Sequence, residues 1–195
     1  MTTRARVVPR SFYARAPDVV ACELLNKVLV GPNGSGRIVE VEAYDGARDP
    51  ASHAYRGLTP RNEVMFGRPG HLYVYFTYGM HWCANAVCRD EGVAAAVLLR
   101  ALAPIAGVER MRAARAQARR DRDLCSGPAK LCQALGIGST HNGADLTRRA
   151  STVHILDDGM APPRSPAVST RIGLSVGVDQ LWRWYVATDD NISRK

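Results

Sequence analysis

The residues most capable of chemistry lie in the segment Gly36-Arg-Ile-Val-Glu-Val-Glu-Ala-Tyr44. Side chains alternate along a strand, so Glu40, Glu42 and Tyr44 are expected on one face, together with Ile38. Two carboxylates there admit three readings. One is a solvated strand face. Another is a single Glu acting as general base beside a tyrosine and cationic groups. The third is a glycosidase-like carboxylate pair, because i,i+2 positions along a strand lie ~6.6 Å apart. The segment by itself leaves all three open.

Aromatic side chains gather further along. His71, Tyr73, Tyr75 and Thr77 share one face of their strand, and Leu72, Val74, Phe76 and Tyr78 the other. Tyrosines often simply fill a half-buried sheet. Tyr78-Gly79-Met80-His81 is different, since it sets a large aromatic and a methionine at a turn where polar turn formers are expected. An exposed apolar wedge on a basic protein is what insertion into a DNA duplex requires. On the returning strand Asn85 shares a face with His81 and Cys83. His81, Cys83 and Cys88 have no fourth ligand at a familiar spacing, so no metal is expected. P-loop, G-x-G-x-x-G, G-x-S-x-G and zinc-deaminase patterns are also missing from the sequence.

Positioning these groups requires strands and tight connections. Pro17-Asp18 starts a short helix that Asn26 can stop in the left-handed conformation. Strands follow at 27–30 and 37–44, around the turn 32–36. Residues 45–69 form a long loop, and loops of that length inside a compact domain usually have a task. Next comes a meander of strands at 71–78, 81–88 and 93–100. A very basic helix is expected from Pro104 to about Arg122, a second from Pro128 to Leu135 stopped by Gly136, and a last strand at 181–187. Helices and antiparallel strands without a βαβ rhythm indicate an α+β fold.

The whole chain of 195 residues suits one domain, with residues 1–16 as a basic stretch and 1–10 as an N-terminal arm. Its formal charge is +8, and 23 of its 26 cationic residues are Arg. That charge points to a polyanion, nucleic acid or an anionic membrane. No apolar run is long enough to span a membrane. Arg4, Arg6, Arg10 and Arg15 are followed by no apolar stretch of the secretory kind. Five cysteines without a C-x-x-C fit a reducing compartment better than a disulfide scaffold. A cytoplasmic protein is expected.

Seven segments then occur in order: 36–46, Ser52–Gly57, Thr59-Pro-Arg-Asn62, Pro69–Tyr75, Tyr78–Asn85, Val97–Ala101 and Leu124–Leu135. Together they resemble the 3-methyladenine DNA glycosylases of the alkyladenine (alkylpurine) type in their bacterial form, from about residue 11 to 187. The resemblance implies a single domain with a curved, barrel-like antiparallel sheet flanked by helices, with a protruding β-hairpin. It implies a monofunctional, monomeric glycosylase that removes alkylated or deaminated purines from double-stranded DNA without cofactor or metal, associated with the nucleoid through DNA. Glu42 would be the general base, with Arg100 and the Ile172 carbonyl helping to hold the water. Tyr44, His53 and Tyr75 would line the base pocket, with Asn85 at its rim. Tyr78 would fill the gap left in the duplex, flanked by Met80 and His81, and Arg61 and Lys130 would also meet DNA. Glu40 would be structural. Two departures from the family pattern, Ala103 and Asn26, lie away from that pocket.

The chemistry fits those roles. A stacked base hides its glycosidic bond and must be extruded. Cationic N-alkylpurines are good leaving groups, and aromatic faces bind cations. Two other readings compete: a catalytically silent damaged-DNA binder with the same pocket and wedge, and an RNA-binding module with stacking aromatics.

Overall fold

Two eleven-residue strands, β3 (Gly34–Tyr44) and β6 (Ala96–Ala106), pair antiparallel at the centre of the computed structural model, which describes residues 5–194. Beyond β6 lie β5 (His81–Val87) and β4 (Leu72–Thr77). Beyond the first half of β3 lie β2 (Val28–Gly31), β7 (His154–Asp157) and β1 (Arg6–Val7). The second half of β3 pairs instead with β9 (Arg183–Tyr185), which carries β8 (Ala167–Ser169). The result is a mixed α/β domain whose antiparallel sheet curls into half a barrel.

The change of partner along β3 coincides with an irregularity. Ile38 pairs with Leu102, Glu40 with Ala101 and Val41 with Leu99, so Val39 and Arg100 fall outside the ladder. Such irregularities re-aim side chains. Ile38 consequently joins Val41 and Ala43 in the main core. This corrects the alternation expected from sequence: Ile38 does not share the face of Glu42 and Tyr44.

Among the described residues four α-helices cover the core: α1 (Arg10–Tyr13), α2 (Pro17–Leu24), α3 (Val108–Ala114) and α4 (Pro128–Leu135). Asn26 has φ 69° and Gly136 φ 73°, the two left-handed stops expected. The basic helix from 104 to 122 is corrected. β6 runs on through Pro104 to Ala106, and α3 spans only Val108–Ala114. After α3 the Arg115 side chain, itself buried, donates to the Leu124 carbonyl at 2.8 Å and folds the segment back. The last strand is likewise shorter than expected, at Arg183–Tyr185.

The basic stretch at the start is docked from residue 5 onward. Arg6 and Val7 pair with β7, Tyr13 is fully buried, and Arg10 meets Asp145 at 2.7 Å. Arg4 lies outside the described residues. Among the described residues no helix is long and apolar enough to cross a membrane.

Candidate active site

Glu42 comes from the second half of β3, and its carboxylate is completely buried. The Ile172 backbone N–H donates to Oε1 at 2.8 Å, and an Arg100 guanidinium nitrogen stands 3.2 Å from the same oxygen. The Tyr44 hydroxyl, two residues along the strand, donates to Oε2 at 2.9 Å. Burial pushes the Glu42 carboxyl above the usual range; Arg100, the Ile172 amide and Tyr44 pull it down but only in part. Oε1 thus faces two donors, whereas Oε2 faces one and keeps capacity for another. The contact from residue 172 is its amide, where the sequence reading assigns a role to the carbonyl.

Arg100 sits at the irregularity of β6 and spans both glutamates. Its Nε donates to Glu40 at 2.9 Å. Glu40 also accepts from Arg183 Nε at 2.8 Å, and from the Ser193 amide and hydroxyl at 2.6 and 2.8 Å. Burial works against its ionisation, but Arg100, the Ser193 amide and Arg183 outweigh that and hold Glu40 below the ordinary range. The two carboxylates are therefore driven apart: Glu40, with four donors, is held below the ordinary range, and Glu42, with three, is raised above it.

The three residues that hold Glu42, namely Tyr44, Arg100 and Ile172, line a cavity of about 330 Å³ whose walls also include His53, Tyr75 and Asn85. His53 belongs to the 45–69 loop and stands edge-on to Tyr75, ring centres 4.5 Å apart, with Nδ1 3.2 Å from the Tyr73 hydroxyl oxygen. One side of the imidazole stays open. Burial of the other side, then the Arg61 charge, lowers its pKa, so it is neutral at neutral pH. Burial likewise raises the Tyr44 and Tyr75 phenols, which stay protonated. Asn85 is buried in the wall, not at the rim, and its amide donates to the Tyr73 carbonyl at 3.1 Å.

The mouth of the cavity meets the β4–β5 hairpin. Tyr78 forms part of that mouth and is 82% exposed; Met80 beside it is 69% exposed, and His81 is exposed too. The turn is closed by Met80 N–H to the Thr77 carbonyl at 3.2 Å, with φ 51° at Tyr78 and 66° at Gly79. A tyrosine in the left-handed region costs ~1–2 kcal/mol. The fold holds this aromatic out in solvent at some expense, as functional positions often do.

A model of the methylpurine-DNA glycosylase family matches residues 11–190. The chain belongs to that family. A protein of Burkholderia orbicola (strain MC0-3), provisionally named a 3-methyladenine DNA glycosylase, is 57% identical over 188 residues, 96% of this chain and 91% of its own. Provisionally named 3-methyladenine DNA glycosylases of Carboxydothermus hydrogenoformans and Streptomyces avermitilis are 48% and 46% identical, over 97% and 94% of this chain and 100% and 89% of theirs. By family the chain is a DNA glycosylase, a hydrolase of N-glycosyl bonds whose partner is DNA.

The glycosylase lines one cavity with Arg100, Tyr44, His53, Tyr75, Asn85, Ile172 and Tyr78; Glu42 stands behind that wall, bonded to Tyr44, Arg100 and Ile172, and Met80 and His81 share the hairpin turn of Tyr78. Arg61 reaches from the 45–69 loop to the Phe76 carbonyl at 3.0 Å, bracing that loop against the hairpin. Lys130 is exposed on the first turn of α4, within 3.2 Å of Ser126 Oγ, two residues beyond Pro128 of the cavity wall. Among the described residues no group of three or more His, Cys, Asp or Glu converges as a metal site.

Three supporting groups escape sequence reasoning. Asn62 donates to the carbonyls of His53 and Gly57 at 2.9 and 3.0 Å and so shapes the loop that carries His53. Arg171 pairs with Asp49, and its neighbour Ile172 is the residue that meets Glu42. Ser193 reaches back to Glu40. The Thr59-Pro-Arg-Asn62 motif signals the first; nothing local signals the other two.

Proposed function

We propose that this glycosylase draws an alkylated or deaminated purine out of duplex DNA into the Tyr44–His53–Tyr75 cavity and hydrolyses its N-glycosidic bond with a water activated by Glu42. The observation that carries this reading is the Glu42 carboxylate. It is fully buried behind the Tyr44, Arg100 and Ile172 wall of an aromatic-lined cavity, raised in pKa, and fixed by Ile172 and Tyr44 with acceptor capacity left on Oε2. A base with a raised pKa retains basicity for taking a proton.

In the reaction, the bond between C1′ and the purine nitrogen breaks, and its electron pair leaves with the base. The sugar becomes oxocarbenium-like, and the anionic Glu42 stabilises that charge. Water adds to C1′ while Glu42 accepts its proton. Arg100, engaged by Glu40 through Nε, orients the Glu42 carboxylate and, with the Ile172 carbonyl, helps to hold the water. Tyr44 and Tyr75 offer π faces to a cationic base, and neutral His53 adds no opposing charge. Asn85 discriminates between purines. Tyr78 takes the space of the extruded nucleotide and recovers part of the lost stacking, while Arg61 and Lys130 contact the DNA backbone. The protein acts as a monomer on lesions such as 3-methyladenine and 7-methylguanine, starting base excision repair; hypoxanthine and ethenoadenine are the further purines to try.

Incubation of methylated duplex DNA with the protein, followed by separation of the released bases, tests this. Free 3-methyladenine and 7-methylguanine are expected. Tight lesion binding with no free base would make the chain a damage-binding protein instead.

A further inference from the structure

A second buried charge cluster adjoins Glu42 on β3, where residues 183–194 fold back onto Glu40. Glu40 accepts from Arg100 and Arg183, and Ser193 gives it both its backbone N–H (2.6 Å) and its hydroxyl (2.8 Å). The same Ser193 oxygen accepts from Arg100 Nη2 at 3.2 Å. Arg183 Nη2 in turn donates to the Arg194 carbonyl. Ile192 packs against Val39 and Ala101, the residues adjoining Glu40 and Arg100. All three guanidinium nitrogens of Arg100 are therefore assigned: Nε to Glu40, Nη2 to Ser193 and Nη1 toward Glu42. The match to the family model ends at residue 190, before this clamp.

We infer that the tail residue Ser193, through Glu40, is a positioning residue for the glycosylase reaction, locking the Arg100 guanidinium so that its remaining arm is aimed at Glu42. The inference rests on the reading of Glu42 as the general base. Arg100 stands outside the β3–β6 ladder, so its backbone pairing alone does not fix it; Glu40 and Ser193 supply that constraint. A planar guanidinium held at two of its nitrogens has no freedom left in the third, which is how a rigid fork transmits alignment. Charged partners make such bonds strong when buried. Without the Ser193 hydroxyl, Nη2 loses its acceptor, the fork pivots about Nε, and its Nη1 moves off Glu42.

The consequence is a change in rate and in its pH dependence. The groups facing Glu42 are Arg100 from β6, Glu40 and Tyr44 from β3, Tyr75 from β4, Cys83 from β5 and the Ile172 amide. Of these Arg100 is the cation that favours the ionised carboxylate, so loosening it raises the pH at which Glu42 deprotonates. Glu40 is held below the usual range, so it takes up its proton at lower pH than Glu42 does.

The test is single-turnover release of 3-methyladenine from duplex DNA as a function of pH, with parallel binding to a duplex carrying an abasic-site analogue, for wild type, Ser193→Ala, Ser193→Thr and Glu42→Gln. Ser193→Ala is expected to slow release about tenfold, the effect of one charge-assisted hydrogen bond, to move the acid limb to higher pH, and to leave abasic-site affinity unchanged. Ser193→Thr, which keeps the hydroxyl, restores rate and limb. A Ser193→Ala enzyme with wild-type rate and acid limb overturns the positioning role while Glu42→Gln remains inactive. A loss of release that comes with an equal loss of affinity and no shift of the limb overturns it too, assigning Ser193 to stability alone. Activity in Glu42→Gln is a separate failure, that of the general-base reading.

Discussion

Arg171 and Asp49 form a bidentate ion pair, 2.5 and 2.7 Å across its two bonds, with neither side chain exposed to solvent. The pair joins the loop that carries His53 to the loop that carries Ile172, and so ties two walls of the cavity together. Arg171 also donates to the Ala43 carbonyl and Gln180, and its guanidinium stacks over Tyr44 at 4.6 Å. Removing one partner from such a pair leaves an uncompensated buried charge. Asp49→Ala should therefore lower unfolding free energy by ~3 kcal/mol in urea titrations. It should also slow base release, because Ile172 loses its anchor beside Glu42.

Glu42 is ionised at a cost in stability. Its folded-state pKa is raised above the unfolded value, so the native state holds the proton to higher pH than the unfolded chain does. Stability then falls as pH rises from the unfolded to the folded pKa. Glu42→Gln should accordingly be more stable than wild type at neutral pH and should lose that advantage in acid. Glu40 has the opposite sign: its lowered pKa contributes stability above the unfolded value, lost as pH falls through the folded one. Paired thermal melts across the acid range check both directions.

Tyr78 is exposed, so truncating its side chain should cost the free protein almost nothing. Tyr78→Ala is expected to melt at about the wild-type temperature while binding an abasic-site duplex more weakly. The loss of one aromatic stacking partner corresponds to ~1–3 kcal/mol. Unchanged affinity would remove the wedge from the account.

The arginine-rich segment is mostly engaged within the chain. Arg110 donates to the Asn33 carbonyl, Arg112 pairs with Asp121 and Glu109, Arg115 is buried, and Arg120 pairs with Asp123. Neutralising Arg112 or Arg120 should leave the salt dependence of DNA binding unaltered. Arg61→Ala or Lys130→Ala should each reduce the slope of log K against log salt by about 0.9, one phosphate contact each. Fluorescence titrations over a salt series distinguish the two groups.

Much of the site is legible in the sequence because it is local. Glu42 and Tyr44 sit two apart on a strand, Tyr75 and Asn85 lie on paired strands of one hairpin, and the odd turn Tyr78-Gly79-Met80 announces itself by residue type. Asn26 and Gly136 end helices as their chemistry requires. What stays hidden depends on distant pairing. Ile38 changes face at an irregularity between β3 and β6, and Pro104 continues a strand where a helix is expected, opposite Gly36, whose missing Cβ leaves room for Leu102 and the Ala103 carbonyl. Glu40 meets Ser193 across 153 positions, and Asp49 meets Arg171 across 122. No short-range pattern encodes such contacts.

The most direct measurement is the comparison of wild type with Glu42→Gln on methylated duplex DNA, following free base release under single-turnover conditions alongside lesion binding. The variant is expected to bind the lesion as tightly as wild type and to release no free base above the uncatalysed level. Base release by Glu42→Gln at the wild-type rate would contradict the general-base role of Glu42.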